Sequence, residues 1–125
     1  MPVLIRAKRV YEPYDPGDGT RVLVERLWPR GFTRERLHAD SWLRGIAPTA
    51  ELRTWYAHDV TKWPEFVTRY TAQLNTHPDL VASLLETARH GPLTLLYAAR
   101  DPDHSSAAVL LNYLKKRLTA KERSS

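Results

Sequence analysis

Arginines follow two apolar segments of this chain and are the side chains best placed to do chemistry. Arg26 and Arg30 lie at the end of the apolar segment 22–31, and Arg100 follows the apolar segment 93–98. A proline and a glycine flank Arg30 and restrict the loop that carries it. The planar guanidinium group matches the geometry of carboxylates and phosphates. The spacing therefore predicts a site for an anionic small molecule.

A histidine and carboxylates accompany these arginines. His104 follows Asp101 by three residues, at a point where the pattern predicts the N-terminus of a helix, which favours anions. Histidine titrates near neutral pH and can act as a general acid or base. The catalytic candidates are therefore His104, Asp101 and Glu25, and the ligand-binding candidates are Arg26, Trp28, Arg30, Tyr97 and Arg100.

Each candidate also has a purely structural interpretation. Asp101 can cap a helix that Pro102 begins, and the arginines can pair with acids such as Glu25 to hold loops against a sheet. Asp59, which follows His58, is interpreted as a helix cap rather than as part of a catalytic pair. Adjacent residues rarely make the hydrogen bond that a catalytic triad requires. Both kinds of interpretation remain open from the residues alone.

Several site types find no support in the sequence. The chain has no cysteine, which excludes disulfides, thiolate catalysis and cysteine-based metal sites. Its five histidines show neither H-x-H nor H-E-x-x-H spacing. No glycine-rich nucleotide fingerprint and no G-x-S-x-G elbow is present. We therefore expect neither a metal nor a cofactor.

The overall charge points to a second class of partner. The formal net charge is +5 and the isoelectric point is about 9.7, which raises the expectation of a polyanionic partner. Trp28, next to basic residues, could stack on bases. A nucleic-acid-binding module is therefore the alternative to a protein with an anion-binding crevice, for which enzymatic activity is left open. No helix-turn-helix, zinc-finger or RNA-recognition pattern supports it.

The remaining elements must position these residues. Alternating or continuous apolar patterns predict strands at 3–11, 21–27 and 93–98. Helical spacing and caps predict a short helix after Thr33, two helices between Thr49 and residue 76, one opened by Pro78, and a last helix starting at Asp101-Pro102. Segment 40–48 is predicted to be irregular. The order predicts an α/β fold with a small, mainly parallel sheet flanked by about four to five helices.

The chain is predicted to form one domain over residues 1–120, followed by a flexible tail at 121–125. No segment is long and apolar enough to span a bilayer, and the N-terminal residues lack a signal-peptide pattern. We therefore expect a cytoplasmic protein with no membrane partner. The oligomeric state and the direction of the first strand are left open.

Motifs along most of the chain resemble one family. They are V22-LVERLWPRG-31, the Ala47-Pro48 and E51-LR-53 segments, W55-YAHD-59, Lys62-Trp63 with Phe66 and Tyr70, and L93-TLLYAARD-101 with His104. Together they resemble the YeaO-like family, a branch of domain of unknown function 488, over residues 4–118. The resemblance implies a small cytoplasmic bacterial α/β protein and carries no settled activity. The family pattern usually has Asp at position 25 and Asn at position 105, where this chain has Glu25 and Ser105.

Overall fold

Four strands and five α-helices form the part of the chain that the structure describes. The computed structural model describes the backbone of residues 4–124 and the side chains of residues 4–118. In chain order the elements are β1 (Ile5–Arg9), β2 (Thr20–Leu23), α1 (Arg34–Leu37), β3 (Ser41–Trp42), α2 (Ala50–Tyr56), α3 (Trp63–Asn75), α4 (Pro78–His90), β4 (Leu93–Tyr97) and α5 (Ser106–Ser124). Short 3₁₀ turns occupy Pro16–Asp18, Arg44–Ile46, Val60–Lys62 and Pro102–His104. The fold class expected from the sequence is confirmed.

The sheet is parallel throughout, in the order β1-β4-β2-β3. Leu93 pairs with both Ile5 and Thr20, so β4 lies between β1 and β2. All five residues of β4 are buried, as its continuous apolar pattern predicts. The direction of the first strand, open from sequence, is thus parallel. Because β2 and β4 are parallel neighbours, the residues that follow them emerge at one edge of the sheet.

The two faces of the sheet are covered unequally. One face carries the main core, in which α5 packs against β1, β4, α3 and α4. On α3 the buried residues Phe66, Tyr70 and Leu74 repeat every four positions, the spacing that predicted this helix. The other face carries a smaller cluster of Val10, Leu23, Leu37 and Leu96, onto which Trp28, Phe32 and Trp42 pack. The loop from β2 to β3 therefore acts as a cover for the sheet.

Some element boundaries differ from the predicted ones. The strand predicted at 21–27 ends at Leu23, and the segment predicted to be irregular contains β3. The last helix begins at Ser106, whereas Asp101-Pro102 starts a separate 3₁₀ turn. Ser105 Oγ accepts a hydrogen bond from the Ala108 N–H at 3.2 Å, so a second cap follows the first.

Two further predictions from the sequence concern residues at the ends of the chain. Residue 3 of the first predicted strand lies outside the described residues, as does Ser125 of the predicted tail. The boundary between domain and tail at residue 120 therefore stays a prediction. Among the helices of the described part, none is long and apolar enough to cross a membrane.

Candidate functional site

A cleft of about 570 Å³ opens at the edge of the sheet where β2 and β4 end. Its walls come from the loop after β2, from α2 and the residues around it, from α3, and from the chain between β4 and α5. The lining residues are Glu25, Pro48, Arg53, Tyr56, His58, Phe66, Ala98, Ala99, Arg100, Asp101, His104, Ser105 and Ser106. The parallel pairing of β2 with β4 accounts for the meeting of Glu25 with the residues that follow β4.

Asp101 and His104 form a hydrogen-bonded pair at the cleft. Nδ1 of His104 lies 2.7 Å from Oδ2 of Asp101, and both side chains are partly exposed. The hydrogen bond from His104 is the main cause that lowers the pKa of Asp101 below its usual value. With Nδ1–H donated to Asp101, Nε2 of His104 is the ring nitrogen left for another partner.

Neighbouring residues hold the His104 backbone and ring in place. The Tyr56 hydroxyl donates to the carbonyl oxygen of His104 at 3.1 Å. The Trp63 ring meets the imidazole edge to face, with the ring centroids 5.1 Å apart. Tyr56 and Trp63 belong to α2 and α3, so helices distant in sequence orient the pair. This arrangement resembles that of a general base with its orienting carboxylate.

Glu25 is a second carboxylate of the cleft and is half-buried. Burial raises the pKa of Glu25 above its usual value, while the charge of Arg53 and a hydrogen bond to the Ala98 backbone act in the opposite direction. The Trp42 indole N–H donates to the carbonyl oxygen of Glu25 at 2.6 Å and fixes the backbone there. The protonated form of Glu25 is thus favoured more than that of an exposed glutamate.

Arg53 and Arg100 supply the cationic groups of the cleft. Both side chains are exposed. Among the side chains that the structure describes, neither guanidinium lies within ion-pair distance of a carboxylate. Two guanidinium groups without internal carboxylate partners are therefore available to a ligand in the cleft.

The eight sequence-predicted site residues divide into two groups. Four of them line the cleft: Glu25, Arg100, Asp101 and His104. The other four lie elsewhere: Arg26, Trp28, Arg30 and Tyr97. Whether any of the eight binds a ligand stays a prediction.

The predicted cluster of three arginines does not form in the cleft, because only Arg100 lines it. Nε of Arg26 donates to the Pro48 carbonyl at 2.9 Å and Nη2 donates to the Ala47 carbonyl at 3.3 Å. Arg26 therefore ties the loop after β2 to the segment before α2. Arg30 is exposed and outside the cleft lining.

The two aromatic candidates lie outside the cleft lining and have contacts within the protein. The Trp28 indole N–H donates to the Phe32 carbonyl at 2.7 Å, and its ring packs against Trp42 at 5.4 Å between centroids. Tyr97 is 4% exposed and belongs to the main core. Burial raises the pKa of its hydroxyl.

The sequence analysis did not identify Arg53 and Tyr56, which α2 contributes to the cleft. Arg53 and Tyr56 are three residues apart, which puts both on one side of a helix, and the burial of Tyr56 marks the side that faces the protein. After α2, Ala57 and His58 adopt positive φ angles of 47° and 58° and bring His58 to the cleft. Asp59 caps the following turn through the Thr61 N–H, as predicted.

No group of three or more side chains that could hold a metal ion occurs among the described residues. The ionisable groups that line the cleft are two arginines, two histidines, two carboxylates and the Tyr56 hydroxyl. Such a set can bind charged organic groups and can move protons.

Comparison with known proteins identifies the family of this chain. A family model described as the inactive DUF488-N3 subclade matches residues 4–125. The chain therefore belongs to the DUF488 family, and the resemblance seen in its motifs is confirmed.

Individual relatives support the same assignment. The chain is 40% identical over 111 residues to the uncharacterized protein YeaO of Escherichia coli K12, covering 89% of this chain and 96% of that protein. It is 39% identical over 113 residues to the uncharacterized protein Rv3073c of Mycobacterium tuberculosis H37Rv, covering 90% of this chain and 95% of that protein. No solved structure matches the chain significantly.

Proposed function

We propose that this protein binds a small anionic molecule in the cleft at the edge of the sheet. The main observation in support is that Arg53 and Arg100 line one cleft, and neither has an ion-pair partner among the described side chains. Guanidinium groups form paired, charge-assisted hydrogen bonds with carboxylates and phosphates. The description of the subclade as inactive favours binding over turnover.

The charges of the cleft are consistent with a ligand of negative charge. Asp101 is engaged within the protein, since its carboxylate oxygens have His104 and the Asp103 N–H as partners. Burial favours the neutral form of Glu25. Arg53 and Arg100 keep their charges at any physiological pH. Because neither guanidinium forms an ion pair with a described carboxylate, each can pair with a negative charge on a ligand.

The dimensions of the cleft suit a small molecule. Its volume of about 570 Å³ lies within the range of roughly 300–1,000 Å³ that is usual for ligand sites. The half-buried Ala98 and Ala99 supply apolar surface beside the charged groups, whereas Pro48, Tyr56 and Phe66 are buried in the lining. The contacts of Trp28 and Arg26 give no support to a nucleic-acid surface, since both residues are engaged within the protein.

A thermal-shift titration tests the proposal. The full chain is melted with inorganic phosphate, citrate, a nucleoside monophosphate and a short single-stranded oligonucleotide. A ligand at 100 times its Kd adds about 2.7 kcal/mol to the free energy of unfolding and raises Tm by several degrees. We expect a small anion to raise Tm, and Arg100→Gln to remove that rise.

The matched control is Arg30→Gln, which removes an exposed arginine outside the cleft. It should keep the full Tm rise. The proposal fails if no small anion raises Tm, or if both variants lose the rise equally. A rise only with the oligonucleotide would support the nucleic-acid alternative instead.

A further inference from the structure

We infer that the anionic ligand of this cleft also carries a hydrogen-bond donor, such as an ammonium group, and that Glu25 recognises that donor. This inference rests on the proposed function and specifies the ligand as a dipolar small molecule of the amino-acid class. Glu25 and the two guanidinium groups of Arg53 and Arg100 lie on the walls of the same cleft.

The hydrogen-bonding capacity of Glu25 is largely unused by the protein. A carboxylate has about four acceptor sites on its two oxygens. The Ala98 backbone is the partner that the fold provides, and no described side chain forms an ion pair with Glu25. A half-buried carboxylate with vacant acceptor sites is stabilised by any donor that enters the cleft.

Arg53 does not fill this role itself. Its charge acts on Glu25, yet the two side chains are not within the 4.0 Å that defines an ion pair. Because these residues line one cleft, a single ligand can place its donor on Glu25 and its anionic group on Arg53 or Arg100. A single ligand that carries both groups satisfies the carboxylate and a guanidinium together.

Asp101, the other carboxylate of the cleft, already has a protein partner on each of its oxygens. Its Oδ2 is 2.7 Å from Nδ1 of His104, and its Oδ1 accepts the Asp103 N–H at 3.0 Å. Both oxygens of Asp101 thus have partners, whereas Glu25 has one backbone partner. This contrast assigns donor recognition to Glu25.

The apolar wall indicates the rest of the ligand. The lining contains the half-buried Ala98 and Ala99, together with Pro48, Tyr56 and Phe66, which are themselves buried. An apolar side chain on the ligand would bury surface against this wall. Phenylalanine is therefore a suitable probe, because it combines an ammonium group, a carboxylate and an apolar body.

Calorimetric titration of the full chain with three matched probes tests the inference. Phenylalanine carries both charged groups, 3-phenylpropionate lacks the ammonium group and phenethylamine lacks the carboxylate. We expect phenylalanine to bind about tenfold more tightly than either half-ligand, the effect of one charge-assisted hydrogen bond. In Glu25→Gln, which keeps the side-chain shape, the preference for phenylalanine over 3-phenylpropionate should fall several-fold.

The control variant is Glu51→Gln, an exposed glutamate in the first turn of α2 that is outside the cleft lining. It should keep the wild-type preference. The inference is overturned if phenylalanine binds no more tightly than 3-phenylpropionate, including the case in which neither binds, or if Glu25→Gln keeps the full preference. The anion screen with Arg100→Gln decides the proposed function separately, so the two failures are distinguishable.

Discussion

Nδ1 of His104 lies 2.7 Å from Oδ2 of Asp101, and Asp101 caps the 3₁₀ turn between β4 and α5 that ends at His104. The same carboxylate accepts the Asp103 N–H, so Asp101 caps the turn and orients the imidazole at once. The structural and the functional interpretation of Asp101 are therefore compatible. The Asp101 side chain thus has two roles, capping the 3₁₀ turn and orienting the His104 ring.

The first prediction concerns the pKa of Asp101. His104→Phe keeps a ring against Trp63 but removes the hydrogen bond that holds this pKa low. We expect the pKa of Asp101 to rise towards its usual value of 3.8, measured by NMR titration of the carboxyl carbon. Asp59, whose pKa is lowered by Thr61 instead, serves as the internal control. An unchanged Asp101 pKa would show that the pair does not form in solution.

The second prediction concerns Glu25 and Arg53. Burial raises the pKa of Glu25, and the charge of Arg53 opposes that rise. Arg53→Gln should therefore raise the pKa of Glu25 further, whereas Arg30→Gln should leave it unchanged. NMR titration of the Glu25 carboxyl measures both values. A fall in this pKa in Arg53→Gln would contradict the arrangement of the cleft.

The pH dependence of stability follows from the same shift. A carboxyl whose pKa is raised in the folded state contributes stability below its unfolded value of about 4.5, and this contribution is lost as pH rises through the folded pKa. Glu25→Gln should abolish the part of the loss of stability with rising pH that Glu25 causes. Denaturant unfolding of both proteins between pH 4 and 7 provides the comparison.

The third prediction concerns a buried ionic network at the opposite end of the sheet. Asp18 accepts hydrogen bonds from Lys8 at 2.9 Å and from Arg21, and the Asp18 side chain is 1% exposed. Asp18→Asn leaves two cations without their counter-charge and should lower the free energy of unfolding by about 3 kcal/mol. Glu65→Gln breaks an exposed pair with Arg69 and should change it by less than about 1 kcal/mol. Urea denaturation at pH 7 measures the free energy of unfolding of both variants and of wild type.

The ion pairs of Asp18 also make the stability of the protein depend on pH in the acid range. Burial raises the pKa of Asp18, but hydrogen bonds from Lys8 and Arg21 outweigh it and bring the pKa below 3.8. The resulting stability is present above the unfolded pKa and is lost as pH falls through the folded pKa. Wild type should therefore lose stability below about pH 4 more steeply than Asp18→Asn. Parallel acid profiles would contradict this role.

The fourth prediction compares two glycines with positive φ. A Cβ on Gly19, at φ 67°, would lie 2.2 Å from the carbonyl oxygen of Pro92, whereas one on Gly31, at φ 82°, would meet nothing within 4 Å. Gly31→Ala should therefore cost only the backbone strain of about 1–2 kcal/mol. Gly19→Ala should cost clearly more, because the neighbouring backbone must shift. Equal losses in urea denaturation would contradict the tight approach to Pro92.

The fold was largely predictable because its signals are local. The continuous apolar segment 93–98 identifies β4, and Pro78 and Gly91 mark the ends of α4. The end of β2 was not predictable from local signals: the strand was predicted at 21–27, but β2 pairs with β4 only as far as Leu23. The loop that follows β2 is shaped by contacts with residues distant in sequence, which no local pattern reports.

The site was predictable where strand order alone determines position. Glu25, Arg100, Asp101 and His104 follow β2 and β4 and lie in the cleft together. The position of Arg26 outside the cleft lining could not be predicted, because its partners, the Ala47 and Pro48 carbonyls, become neighbours only in the folded chain. Arg53 was missed for a related reason, since only the packing of α2 brings it to the cleft.

The central claim is that Arg53 and Arg100 bind an anion in the cleft, and mapping by NMR tests it most directly. The isotope-labelled protein is titrated with the small anion that raises Tm most, and backbone amide shifts are followed. We expect the largest changes at Glu25, at Arg53 and from Ala98 to Ser106, with little change around Arg30. Changes centred on residues 26–36, or no changes in the cleft, would contradict the claim.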